Sequence, residues 1–192
     1  TPPSEAAAYQ TDRLTAVRIK WGGHVLQLAS AYLPSGNNSG IKAMISTRMS
    51  ALLHKSREDG SQPVWGGDWN FVVNNSQDRM TQIFDRTGQA VSRICPRPHA
   101  TDSEAAAARQ NAEHACMGQH CPELVDAYRH LHPHGTSLTF FSAKTYWDTS
   151  VPNAPPTLIK KTLSAARLDR FYVAQPLLPY VVQCNCLLYT SP

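Results

Sequence analysis

Long hydrophobic runs are missing from this sequence. Nowhere do apolar residues approach the ~18 consecutive positions that cross a bilayer, which excludes a membrane-spanning helix. No basic-then-apolar leader follows the opening Thr1, and no initiator Met precedes it. Charge is scarce: 17% of the 192 residues are charged, and 18 Lys+Arg against 14 Asp+Glu leave a formal +4. Such mild basicity permits a polyanionic partner without demanding one. The cysteines are few, odd in number and unevenly spread, at 95, 116, 121, 184 and 186. That pattern argues against a disulfide framework and for free intracellular thiols. What is present, 42% hydrophobic and 8% aromatic residues, excludes a disordered or collagen-like chain. The length suits one globular domain or a large part of one.

Residues 1–12 are polar and Pro-led, which predicts a loop or frayed end. The apolar runs Leu14–Ile19 and Val25–Leu33 flank Lys20-Trp21-Gly22-Gly23, and a Gly pair between two such runs predicts a hairpin. Ile41, Met44, Ile45, Met49, Leu52 and Leu53 recur at helical spacing, with Ser39 placed to cap and Gly60 to end the helix. Pro63-Val64-Trp65 predicts a short buried strand ending at Gly66-Gly67-Asp68-Trp69-Asn70. Ile83, Phe84, Val91 and Ile94 suggest a weaker helix over 79–94, and 95–121 has the character of a Cys/His/Ala-rich insertion. A short helix is expected over Glu123–Leu131, a strand over Leu138–Phe141, a polar Pro-rich loop over 142–164 and a last strand over Arg167–Ala174. Strands and helices thus interleave, with both hairpin and crossover connections, which predicts an α/β sandwich.

The sharpest local signal is Asp68-Trp69-Asn70. Side chains two positions apart on an extended segment point the same way, so Asp68 and Asn70 share one pocket. Glycines ahead of them allow a phosphate or another backbone to approach closely. A carboxylate beside an amide suits phosphoryl chemistry: the acid orients water or binds a metal, and the amide donates to a phosphate oxygen. An Asx turn after a strand is the plain alternative for the tetrapeptide alone.

Four stretches in order carry a resemblance: Ala31-Tyr32-Leu33-Pro34; Gly66-Gly67-Asp68-Trp69-Asn70; Leu124-Val125-Asp126-Ala127-Tyr128-Arg129 with His132-Pro133 and Leu138-Thr139-Phe140; and Ala166-Arg167-Leu168-Asp169-Arg170-Phe171. Over roughly residues 13–183 the chain resembles the endonuclease/exonuclease/phosphatase superfamily. Within it, the chain looks most like abasic-site endonucleases and the endonuclease domains of non-LTR retrotransposons. The resemblance implies two mixed sheets packed face to face and phosphodiester hydrolysis of DNA with Mg²⁺ or Mn²⁺. It also implies an intracellular, nuclear location, with a reverse transcriptase domain on the same parent chain as a further expectation. By the same resemblance, Asp68 orients the attacking water or shares the metal, Asn70 holds the scissile phosphate, Tyr32 lies against it, and Asp169 fixes a catalytic histidine. Arg129 and Thr139 fall at positions of structural character.

The chain departs from that pattern at both ends. No Glu sits on an early strand and no His follows Asp169, so it looks like an internal piece of a longer endonuclease, itself inactive. Residues 184–192, ending Cys186-Leu187-Leu188-Tyr189-Thr190-Ser191-Pro192, look non-native. Cys95, His99, His114, Cys116, His120 and Cys121 match no familiar zinc-ligand spacing, which favours a Cys/His-flavoured loop. Lys160, Lys161 and Arg167 form a basic stretch suited to a phosphate backbone, with a solvated loop as the alternative. Two other functions are open: a phosphatase acting on phospholipid or inositol phosphates, and a binding module that keeps the fold without the chemistry.

Overall fold

The computed structural model describes residues 9–10, 13–34, 39–73, 75–94, 121–149 and 156–185. Strand β2 (Leu14–Trp21) turns into β3 (His24–Tyr32) through Gly22 and Gly23, whose φ values of 54° and 83° meet the demand of a two-residue hairpin turn for left-handed backbone. A two-residue strand β1 (Tyr9–Gln10) pairs with the outer edge of β2. The helical stripe forms α1 (Ser39–Asp59), which ends at Gly60 with φ 69°. Its Ile45, Met49, Leu52 and Leu53 are buried against Leu14, Ala16, Ala31 and Trp65, each large side chain contributing roughly 1.5–3 kcal/mol. The crossover returns the chain to β4 (Gln62–Asp68), parallel to β3.

Residues 79–94 are not helical. They form a hairpin, β5 (Arg79–Phe84) and β6 (Ala90–Ile94), preceded by a single turn, α2 (Asn75–Asp78). The reason lies in Asp85, whose carboxylate accepts from the backbone N–H groups of Thr87 and Gln89 and from the Thr87 hydroxyl, closing a turn that a helix could not contain. The stretch expected as one helix after Glu123 divides at Asp126 into β7 (Leu124–Asp126) and α3 (Ala127–Leu131). Asp126 caps the helix by accepting from the Arg129 N–H at 3.0 Å. Most of the expected 142–164 loop is also strand: β8 (Phe140–Asp148) and β9 (Thr157–Ala166) pair along their full length. The last strand, β10 (Asp169–Ala174), leads into a 3-10 helix over Gln175–Tyr180.

These strands form two sheets, ordered β1-β2-β3-β4-β10-β7 and β6-β5-β9-β8, the α/β sandwich class expected from the sequence. Where the chain passes between them, buried Asp78 receives Arg129 Nη2 at 2.5 Å and Arg167 Nε at 2.9 Å, while Arg167 Nη2 donates to Asp126 at 2.7 Å. The Arg167 N–H also donates to the Asp78 carbonyl at 2.8 Å. Arg170, likewise buried, lies 3.7 Å from Asp78 and donates to the Phe71 carbonyl at 2.7 Å.

Candidate active site

The rim of the six-stranded sheet brings the expected residues together by register. Tyr32 pairs with Asp68 across the parallel β3–β4 ladder, and Asp68 pairs with Asp169 across the antiparallel β4–β10 ladder. Paired residues project from the same face of a sheet, so phenol, carboxylate and carboxylate stand in one row. Tyr32 and Asp169 are exposed and Asp68 is half-buried.

The glycines before Asp68 serve a neighbouring backbone. A Cβ at Gly67 would fall 1.8 Å from the Ala31 carbonyl oxygen, and one at Gly66 would fall 2.6 Å from the Phe171 ring. Their smallness lets β3 and β10 close on β4, which sets the row. After Asp68 the chain turns sharply: Asn70 has φ 47°, a left-handed conformation that Asn tolerates better than most residues. Its backbone N–H donates to Asp68 Oδ1 at 2.9 Å, and its Nδ2 donates to Asp68 Oδ2 at 3.1 Å and to the Leu33 carbonyl at 2.5 Å. Both amide hydrogens are engaged inside the protein. Asn70 therefore braces Asp68; a phosphate would have to displace the Leu33 carbonyl or the Asp68 carboxylate to receive an amide hydrogen.

Burial raises the Asp68 pKa above its ordinary 3.8, and the negative charge of Asp169 adds to the rise. The Asn70 hydrogen bonds and the Arg170 charge oppose it without cancelling it. The two carboxylates, Asp68 and Asp169, are hard oxygen donors. Among the described residues no cluster of three or more His, Cys, Asp and Glu exists. This donor set does not fit a closed protein cage, but it fits Mg²⁺ or Mn²⁺, since Mg²⁺ is commonly held by one or two carboxylates with waters and substrate phosphates.

Thr139 supports the row from behind. Its hydroxyl accepts from the N–H groups of Leu168 and Asp169, both at 3.0 Å, and so fixes where β10 begins. Arg129 gathers the carbonyls of His132, Pro133 and Gly135. Both side chains are engaged in bonds within the fold.

The basic stretch divides three ways. Arg167 is not a surface cation: it is 2% exposed. Burial alone would lower its pKa, but Asp126 and Asp78 outweigh that and the net shift is upward. Sequence proximity to Lys160 and Lys161 suggested a shared patch; in three dimensions the partners are Asp78 and Asp126. Lys160 sits with its Nζ 4.9 Å from the centroid of the Tyr146 ring. Together with Arg79, Lys144 and Asn70 it lines an open trough of about 390 Å³ across the four-stranded sheet. Lys161, one residue on, is exposed on the opposite face of the sheet. Of the Cys/His group, only Cys121 is described, and it is buried in the core; Cys95, His99, His114, Cys116 and His120 lie outside the described residues. Asp78, the buried partner of the arginines, carried no recognisable signal in the sequence beyond the Arg that follows it.

No helix among the described residues is long and apolar enough to cross a membrane. No family model matches the chain, and no curated protein does. Among solved structures it is similar to the endonuclease domain of TRAS1, a telomere-specific non-LTR retrotransposon. The identity is 13% over 88% of this chain and 54% of that one, with a TM-score of 0.45. It is also similar to D. rerio TDP2 complexed with single-strand DNA product (14% identity, 80% and 46% covered, TM-score 0.34). A humanized D. rerio TDP2 carrying 14 mutations gives similar figures (15%, 80% and 45%, TM-score 0.33). The chain thus spans about half the length of these structures.

Proposed function

We propose that these residues form the central part of a divalent-metal-dependent DNA endonuclease of the endonuclease/exonuclease/phosphatase superfamily, from a retrotransposon polyprotein acting in the nucleus. One observation carries the reading: the register that sets Tyr32, Asp68 and Asp169 in one row, with Asn70 bracing Asp68. Asp68, braced on both oxygens, accepts the proton of the attacking water, and its raised pKa favours that role. Tyr32 meets the phosphate from the β3 side. Asp169 faces the group that protonates or offsets the leaving oxygen. In the alternative role Asp68 would instead share Mg²⁺ or Mn²⁺, which when bound offsets charge developing on the phosphate. The trough beside Asn70, with Lys144 and Lys160, receives the flanking DNA backbone. The 192 residues alone do not turn over, since neither an early-strand Glu nor a late His is among them.

Plasmid nicking tests the reading. The longer parent chain nicks supercoiled DNA with Mg²⁺ and loses that activity on Asp68→Ala, whereas the 192-residue chain binds DNA without nicking it. A parent that nicks unimpaired after Asp68→Ala removes Asp68 from the chemistry and the proposal with it.

A further inference from the structure

The row at the sheet rim has a fourth member that no motif singled out. Leu14 pairs with Ala31, which sets Arg13 opposite Tyr32, and the Tyr32 N–H donates to the Arg13 carbonyl at 2.8 Å. Across four neighbouring strands the rim therefore reads Arg13, Tyr32, Asp68, Asp169: cation, phenol, carboxylate, carboxylate. The Arg13 guanidinium carbon lies 5.0 Å from the centroid of the Tyr32 ring, a stacking that holds the cation in place against an exposed aromatic face. One guanidinium nitrogen, Nη1, is buried; the residue as a whole is half-buried, and its planar group keeps a fixed orientation that a flexible ammonium would lack.

Resting on the nuclease reading, we infer that Arg13 is a substrate-binding residue, taking a phosphate of the DNA strand beside Tyr32. Two strand spacings of about 4.8 Å separate Arg13 from Asp68, about 10 Å in all. The guanidinium itself reaches across the first of these spacings to lie over Tyr32, so it stands on the Tyr32 side of Asp68. Arg13 lies on the β2 flank of the row, whereas the trough, lined by Asn70, Leu168, Lys144 and Lys160, lies on the β10 flank. A strand crossing the row is then gripped by positive charge on both sides of Asp68.

The test is fluorescence anisotropy of a labelled DNA duplex with the 192-residue chain, between about 50 and about 200 mM salt. Arg13→Gln is expected to weaken binding about tenfold at the lower salt and to flatten the logarithmic salt slope by about 0.9, one phosphate contact. Arg13→Lys restores the slope and part of the affinity. Arg18→Gln serves as the control for net charge, because Arg18 pairs with Asp59 at the end of α1, away from the row. Circular dichroism monitors folding; should Arg13→Gln unfold, Arg13→Met keeps the stem over Tyr32 and takes its place. An Arg13 variant that folds and binds with the slope of Arg18→Gln overturns the assignment while leaving the nuclease reading intact. A wild-type chain with no salt-dependent binding sinks both.

Discussion

In the six-stranded sheet, Trp65, Ala31 and Tyr172 are buried in the core with α1; in the four-stranded sheet, Phe141 and Trp147 are more than half exposed and Ile159 and Leu163 more than a third. The open sheet's ladders also carry irregularities, at Ile83/Phe84 and Tyr146/Trp147, where the covered sheet's run in unbroken register, so the two differ in cover and in pairing. The covered sheet carries the row Arg13, Tyr32, Asp68 and Asp169 at its rim, each strand held in register by packing that a one-residue slip would destroy. The open sheet contributes Lys144, Lys160 and Tyr146 on a surface whose side chains contribute little to folding. On the proposed reading the row therefore sits on the covered sheet, and the basic trough lies across the open one. Asp78 and its arginines join the two.

The joint is the place to break this arrangement most severely. Asp78→Ala leaves Arg129, Arg167 and Arg170 facing one remaining carboxylate, Asp126, in a buried setting. Removing one partner of such a buried set costs about 3–5 kcal/mol, a large share of the roughly 5–15 kcal/mol of a typical domain. Urea unfolding followed by fluorescence measures it; a loss below about 1 kcal/mol would mean that the joint holds nothing. Next in size is the contrast between the sheets themselves. Leu53→Ala, under the covered sheet, is expected to cost about 2–5 kcal/mol, and Leu163→Ala, on the open one, only about 1 kcal/mol, in keeping with its partial burial. Equal losses would erase the distinction.

The covered sheet was also the more legible one in the sequence. Its hairpin, helix and β4 each carry a local signal: a Gly pair, a 3.6-residue stripe, an apolar run stopped by glycines. The open sheet does not. Its strands bury few side chains, so β5, β8 and β9 lack the clean alternation that a half-buried strand shows, and Ile83, Phe84, Val91 and Ile94 fall by chance at helix-compatible spacing. Prolines at 152, 155 and 156 made the hairpin resemble a loop, although the last of them only precedes β9. At the rim, Asp68 and Asn70 were legible as neighbours in sequence and Tyr32 and Asp169 by resemblance. Arg13 and Asp78 were not, because what singles each out is a residue far along the chain. Arg167 misled for the converse reason: its sequence neighbours are cations and its spatial neighbours are carboxylates.

A functional contrast within the open sheet is smaller in energy but sharper in direction. Lys160 and Lys161 are adjacent, carry equal charge and lie on opposite faces. Lys160→Gln is expected to flatten the salt slope of DNA binding by about 0.9 with no change in melting temperature. Lys161→Gln is expected to leave the slope alone. If both flatten it equally, the trough has no privileged face and the basic stretch acts only as diffuse charge.

The smallest effect is electrostatic and confined to the β5–β6 turn. Hydrogen bonds from the Thr87 hydroxyl and from the Gln89 and Thr87 N–H groups hold the Asp85 pKa below its ordinary 3.8. A carboxylate lowered on folding contributes stability that is present above its unfolded value, and this is lost as pH falls through the lower folded one. The turn should therefore loosen only below pH 3.8. Because Asp85 serves the open sheet alone, loosening there should leave the covered sheet untouched. Amide chemical shifts of Thr87 and Gln89, followed by NMR as acid is added, should move with a midpoint under 3.8 while those of β3 and β4 stay still. A midpoint at or above 3.8 would show that the turn does not favour the ionised acid. Movement of β3 in step with Thr87 would show that the two sheets loosen as one, against the division drawn between them.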